Sequence, residues 1–323
     1  MRPAACLIVM AAAAWAANPM QAVAQQWPDK PVRILVPFPP GGGTDIQARL
    51  LTVAFQKSTG QNFFTENRTG ASGMIATQLA VDTPPDGNTI LFTSGSISVA
   101  VTLYAKRIKF NVLTDLVPIS WISSTPLVLA AHPSVPVKSV KELVALAKRT
   151  QGGLNAGGNA AGTTAHLSAE MLNQTVGIKS TVVTFRGGGP AVIALISGEL
   201  DYGFVTAPSI MPHLKSGKAK GLAVTTPKRS SALPDLPTMD SVYPGFVADN
   251  WYAMFYPKGT PRAIVDRMNA EIRKAIATPE LKAFYPREAL DPVASSPEEL
   301  TELLKREIPK YAKVIKAANI RLD

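Results

Sequence analysis

Val36-Pro-Phe-Pro-Pro-Gly-Gly-Gly-Thr-Asp45 and Asn155-Ala-Gly-Gly-Asn-Ala-Ala-Gly-Thr-Thr-Ala-His166 follow one plan, about 120 residues apart. Each follows an apolar lead, turns through glycine and opens a helical pattern at a hydroxyl-bearing residue. A chain turning from strand into helix leaves backbone N–H groups unpaired at the helix N-terminus, where anions bind well. Two such turns, in what read as two domains, predict an anion gripped from both sides. Neither is a phosphate P-loop, because no Gly-Lys-Ser/Thr follows.

Outward from these turns, strand and helix patterns alternate, which predicts α/β layers with parallel sheets. Strands are expected at 32–36, 89–92, 126–131, 181–185, 201–205, 221–225 and 251–256. The first helix, capped by Thr44 or Asp45, carries Ile46, Leu50, Leu51 and Phe55 inward. A second, opened by Gly73, carries Ile75, Leu79 and Ala80. Helices at 140–148, 165–176, 261–277 and from 296 onward follow, and Gly187-Gly-Gly-Pro190 starts another. The chain crosses between domains near 124–126 and near 250–251. Domain 1 is therefore expected to be discontinuous, 25–125 plus 252–323, with domain 2 at 126–251.

The first 24 residues read as a secretory signal peptide, with Arg2, the apolar run from Ala4 to Ala17 and an Ala-Val-Ala site cleaved after Ala24. The one cysteine, Cys6, lies inside it. Disulfides, thiolate chemistry and cysteine-type zinc are thus not expected of the exported chain. No later stretch reaches the ~18–20 uninterrupted apolar residues of a membrane helix. A formal charge of +10 favours anions over cations. The basic residues are scattered, and no nucleic-acid motif is present. His132, His166 and His213 lack metal-ligand spacing, and no Gly-x-Ser-x-Gly elbow occurs. No cofactor, metal or catalytic residue is expected.

The whole expected mature chain resembles the Bug/TctC family of periplasmic solute-binding receptors of tripartite tricarboxylate transporters. Trp27-Pro28, Val36-Pro37-Phe38 with Gly41 to Asp45, and Glu66-Asn67-Arg68 carry the resemblance. So do Pro85-Asp86-Gly87, Ala165-His166-Leu167, Gly198-Glu199-Leu200-Asp201, Leu222 to Thr225 and Leu233 to Thr238, in order and spacing. The resemblance implies a two-domain periplasmic-binding-protein fold of type II-like form. Two crossing hinge strands would join the domains, and the cleft between them would close on a small carboxylate. It implies that residues 38–45 and 159–166 grip that carboxylate. Where the family often has Val-Pro-Tyr-Lys-Gly, this chain has Val183-Thr184-Phe185-Arg186-Gly187.

The expected ligand-binding residues follow. Gly42 and Gly43 form a backbone nest or a tight turn, and Thr44 donates its hydroxyl or caps. Asp45 is a cap or structural acceptor, since a carboxylate repels an anionic ligand. Asn159, Gly162, Thr163 and Thr164 form the second grip, with one threonine capping while the other binds. His166 orders that loop. Phe38 packs on the ligand skeleton or anchors its loop. Phe185 and Arg186 face the cleft, where Arg186 holds a distal carboxylate or is an ordinary surface arginine. Ser94 and Ser96 are hydroxyl donors or turn residues, and Thr206 ends a domain 2 strand on the side where ligands bind open α/β sheets. The expected function is capture of a mono- or dicarboxylate, aromatic acids included, by a monomeric periplasmic receptor. It would close about a hinge and deliver the acid to membrane permease subunits. Two other readings stay open: a receptor docking on a sensor-kinase ectodomain, and an exported hydrolase using Ser96 or a loop threonine.

Overall fold

The computed structural model describes residues 27–317 and Ile320; the expected signal peptide, its cleavage site and Cys6 lie outside the described residues. The chain opens with β1 (Val32–Val36), α1 (Gly43–Thr59), β2 (Phe63–Asn67), α2 (Met74–Val81), β3 (Thr89–Ser94), α3 (Ser96–Leu103), α4 (Val112–Asp115) and β4 (Leu116–Thr125). It crosses at Pro126 into β5 (Leu127–Ala131), α5 (Val140–Arg149), β6 (Asn155–Gly158), α6 (Thr164–Val176) and β7 (Thr181–Thr184). The same lobe continues through α7 (Gly188–Ile196), β8 (Tyr202–Thr206), α8 (Ala207–Lys215), β9 (Lys220–Val224) and α9 (Met239–Val242). The return runs through β10 (Asn250–Pro257), α10 (Arg262–Ile276), α11 (Pro279–Arg287), β11 (Asp291–Pro292) and α12 (Pro297–Ala317).

The strands form two sheets, ordered β11-β4-β10-β3-β1-β2 and β7-β6-β8-β5-β9. Strands joined by helical crossovers pair in parallel: β1 with β2 and β3, and β6 with β7 and β8. The expectation of parallel sheets is corrected by the strands at the crossings. β10 runs antiparallel to β3 and β4, and β5 runs antiparallel to β8 and β9. Asn250 and Trp251, expected at the end of domain 2, instead pair with Thr125 and Ser124 in the first sheet. The chain has already crossed before Asn250.

Both sheets are buried on both faces, so their central strands send apolar residues to both. Along β10, Tyr252, Met254 and Tyr256 join the core under α1, α10 and α11, while Trp251, Ala253 and Phe255 join the core under α2, α3 and α12. Along β5, Leu127, Leu129 and Ala131 alternate with Val128 and Ala130 in the same way. Trp27 is buried at the start of the described chain, its indole N–H donating to Gly87 O at 3.1 Å. One helix face departs from expectation. Ile75 is 55% exposed; Met74 and Ala76 pack inward with the expected Ala80, and Leu79 packs against the same core.

Asp249 lies on the return crossing, where Tyr311 of α12 reaches its carbonyl at 3.5 Å. Its Oδ1 is buried without a hydrogen-bond partner. Burial raises the carboxyl pKa to about 6; nearby Glu307 and Asp291 add to the rise, and Lys310 opposes it. A raised carboxyl pKa stabilises the fold below the ordinary Asp range, and that contribution is lost as pH rises through the folded value. Asp249→Asn is therefore expected to gain stability over the wild-type chain at pH 7.5 but not at pH 4.5, read as urea midpoints. An equal difference at both pH values would contradict this.

Candidate functional site

Five connections run from the carboxyl end of a strand into a helix and meet between the lobes. From the first lobe come β1 into α1 and β3 into α3; from the second come β6 into α6, β7 into α7 and β8 into α8. Each helix start presents N–H groups without intrahelical acceptors, together with the positive end of its dipole. Between them lies a slot of about 20 Å³ lined by Gly42, Gly43 and Thr44 of α1, Ser94 and Ser96 at α3, Thr163 and Thr164 at α6, Gly188 of α7 and Thr206 at α8. Phe38, Asn159 and Asn250 complete the lining, in which no side chain is charged.

The two glycine-rich turns share one scaffold. In the first, Gly41 adopts φ +81°, and its N–H donates at 3.1 Å to the Asp45 carboxylate four residues on. In the second, Gly162 adopts φ +79°, and its N–H donates at 3.2 Å to His166 Nδ1, again four residues on. The left-handed φ of these two positions is what glycine supplies without strain. Asp45 is also held by the Arg49 guanidinium at 2.9 Å and by Asn67 Nδ2 at 2.9 Å, while the same Asn67 amide donates to Phe38 O at 2.8 Å. Burial lowers the pKa of His166, favouring the neutral imidazole that can accept at Nδ1. Glu170 Oε1 lies 3.9 Å from His166 Nε2, and burial raises its pKa.

Ten of the expected residues are thereby brought together: Phe38, Gly42, Gly43, Thr44, Ser94, Ser96, Asn159, Thr163, Thr164 and Thr206 all line the slot. Asp45, Gly162 and His166 do not; their polar groups are spent on holding the loops. No side chain caps α1: its N-cap is Gly42, and Thr44 and Asp45 lie inside the first turn. Of the two threonines, one caps. Thr163 caps α6 by accepting from His166 N–H at 3.3 Å, whereas Thr164 Oγ1 faces Asn250 Oδ1 at 3.4 Å. Gly188 and Asn250 escaped the sequence reading. Gly188 had a visible signal, since Gly187-Gly-Gly-Pro190 is a third glycine turn. Asn250 had none, because only the crossing topology places it at the slot.

Phe185 and Arg186 line a second, larger space of about 390 Å³, bounded also by Pro37, Phe38, residues 69–73, Tyr104, Ala160, Ala161 and Thr184. Phe38 borders both spaces. Arg186 is exposed and is the only charged residue of this lining. Within it, Ala71 and Ser72 hold positive φ values of 46° and 53°, uncommon for residues with a Cβ.

The lobes are in contact across the slot. Thr164 N–H donates to Ser96 Oγ at 3.4 Å, and Ser72 Oγ donates to Ala161 O. The glycine turn at α7 presses on the first loop, where a methyl group on Gly189 would lie 2.9 Å from Pro40 O. Among the described residues Ser96 has no histidine or carboxylate partner: its hydroxyl accepts from Thr164, and its N–H donates to Ser94 Oγ at 3.4 Å. The arrangement can hold an anion with neutral donors, but it offers no general base to a nucleophile.

Residues 47–320 match the family described as tripartite tricarboxylate transporter family receptor. BugT of Bordetella pertussis is 34% identical over 301 residues, covering 93% of this chain and 92% of BugT. Among solved structures, Rpa4515 of R. palustris with adipate has a TM-score of 0.88 and 31% identity, covering 91% of this chain and 99% of that one. MatC from Rhodopseudomonas palustris with bound malate has a TM-score of 0.84 and 29% identity, covering 90% of this chain and 100% of that one. With its paired mixed sheets and interlobe slot, the chain belongs to the Bug/TctC family of periplasmic solute-binding receptors, a family of binding proteins and not of enzymes.

Proposed function

We propose that this chain, exported and cleaved after Ala24, captures a small organic carboxylate by closing its lobes and delivers it to the permease of a tripartite tricarboxylate transporter. The observation that carries this reading is the uncharged slot ringed by five helix N-termini. An anion there is held by helix N-terminal N–H groups and by the hydroxyls that line the slot, and no buried cation demands a partner when the slot is empty. The family relationship and the relatives holding adipate and malate support the same ligand chemistry.

A slot of about 20 Å³ is small, so only the carboxylate end of the ligand is assigned to it. The rest of the ligand belongs in the second space, with its carbon skeleton against Phe38 and Phe185 and a distal acceptor at Arg186. Malate- to adipate-length diacids and aromatic acids fit this division.

The carboxylate clamp is tested by thermal shift and calorimetry with succinate, adipate, benzoate and the corresponding amides. Acids are expected to stabilise the chain, by about 2.7 kcal/mol at a hundredfold excess over Kd. Amides that stabilise it equally would sink the clamp. Arg186→Gln is expected to weaken diacids about tenfold, the scale of one charge-assisted hydrogen bond, and to spare monoacids of the same length. Equal effects on both would remove the distal contact. Gly189→Ala tests closure itself. Its methyl meets Pro40 O only when the lobes touch. Acid affinity is expected to fall at least tenfold, while the unliganded melting temperature holds or rises because alanine favours helix. Unchanged affinity would show that this contact does not limit closure.

A further inference from the structure

Tyr252 lies beneath the slot without lining it. It pairs with Ser94 across the sheet and shares a strand face with Asn250 two residues earlier; both of those residues line the slot. Its ring stacks on Phe92 at 6.1 Å between centroids, and its side chain is 0% exposed. The hydroxyl completes no hydrogen bond in this structure, although Thr206 and Asn250 are its polar neighbours. Gly43 shows where it points. A methyl group there would sit 2.3 Å from Tyr252 Oη and 2.9 Å from Thr206 Oγ1. Only a residue without a side chain leaves these two oxygens facing each other. They come from opposite lobes, Tyr252 on β10 and Thr206 at the start of α8.

Leaving a buried hydroxyl without a partner is costly, so a fold that keeps one is under pressure to complete it in another state. We propose that Tyr252 is a positioning residue of the carboxylate grip: with acid bound, its hydroxyl donates to Thr206 Oγ1, which turns the Thr206 proton onto the ligand. The proposal rests on the carboxylate reading of the slot. Thr206 Oγ1 already shares a hydrogen bond with Ser209 Oγ at 3.0 Å. A hydroxyl accepts two hydrogen bonds and donates one. With Tyr252 and Ser209 both donating to Thr206, its single proton is left for the slot. Burial also raises the phenol pKa, which keeps Tyr252 a donor. Each bond in such a chain polarises the next, and the anion at its end sets the direction. Because the two oxygens belong to different lobes, the relay exists only when the lobes are shut on the ligand.

The test is a double-mutant cycle of Tyr252→Phe and Thr206→Val, titrated calorimetrically with succinate, adipate and benzoate. Tyr252→Phe removes one oxygen and no packing. Its unliganded melting temperature is expected to equal or exceed that of the wild-type chain, while affinity for bound acids falls five- to thirtyfold. Thr206→Val is expected to lose a similar factor, and the double variant little more than either single one. Wild-type affinity in Tyr252→Phe overturns the relay, as do losses that multiply in the double variant. A lowered unliganded melting temperature with unchanged affinity assigns the hydroxyl to folding and overturns it too. If the wild-type chain binds none of the acids but binds their amides, the carboxylate reading fails and the relay fails with it.

Discussion

The antiparallel pairing of β4 with β10 is the constraint on which the other features depend. It runs from Thr125 opposite Asn250 to Leu116 opposite Pro257. The two segments that join the lobes therefore leave the first sheet side by side. Thr225 fastens the second lobe at the same place: its hydroxyl donates to Ala248 O at 2.9 Å and accepts from Leu127 N–H at 3.0 Å. Two adjacent tethers permit rotation about a line through residues 125–126 and 249–250, and resist sliding. The parallel strands β1, β3, β6, β7 and β8 end toward that line, so their five strand-to-helix turns open onto the same slot. A crevice at the carboxyl ends of strands is where open α/β sheets bind ligands; here two such crevices face each other.

That geometry settles how charge is handled. A buried arginine or lysine in the slot would leave the empty receptor with an unpaired ion, which costs far more than a few unpaired N–H groups. Helix N-termini avoid this because their positive ends belong to helices that form in any case. The charged side chains nearby are kept out of the slot: Asp45 is neutralised by Arg49, and Arg186 lines the neighbouring space. In the proposed reading the carboxylate grip is thus separated from the space left for the rest of the ligand, and Phe38 borders both.

The glycine turns and the apolar strands β1, β5, β8 and β10 were legible because local chemistry alone explains them. Gly41 and Gly162 need positive φ, and a strand buried on both faces needs an unbroken apolar run. β4 was not legible, although it is the longest strand and half of the hinge. Its run Leu116-Val-Pro-Ile-Ser-Trp-Ile-Ser-Ser-Thr125 looks like a loop. Its polar residues find partners far away in sequence: Ser120 donates to Ser295 O at 2.8 Å, and Ser123 meets Gln47 Nε2 at 2.9 Å. The same limit hid Asn250 and Tyr252. Tyr252 reads as an ordinary member of the strand at 251–256 and Asn250 as the crossing residue before it, and only the neighbours brought in by the crossing set them at the slot. Ile75 was misplaced for a different reason: on a helix of eight residues the inner face is poorly fixed by spacing, and Met74 and Ala76 joined the expected Leu79 and Ala80 there.

The doubling of the glycine turn is a doubling of mechanism with one difference. Both loops are fixed by a glycine N–H donating to a side chain four residues later, but the acceptor is a carboxylate in the first lobe and a neutral imidazole in the second. The carboxylate needs Arg49 and Asn67 to offset its charge, so the first loop is tied to β2 and to the outer surface of its own lobe. The imidazole needs only burial, and it leaves α6 free of any nearby formal charge except Glu170, whose own pKa burial raises. The field at the slot therefore comes from backbone dipoles on both sides. On the proposed carboxylate reading, any organic acid that reaches the slot would meet the same grip, and discrimination among acids would fall to the residues beyond Phe38.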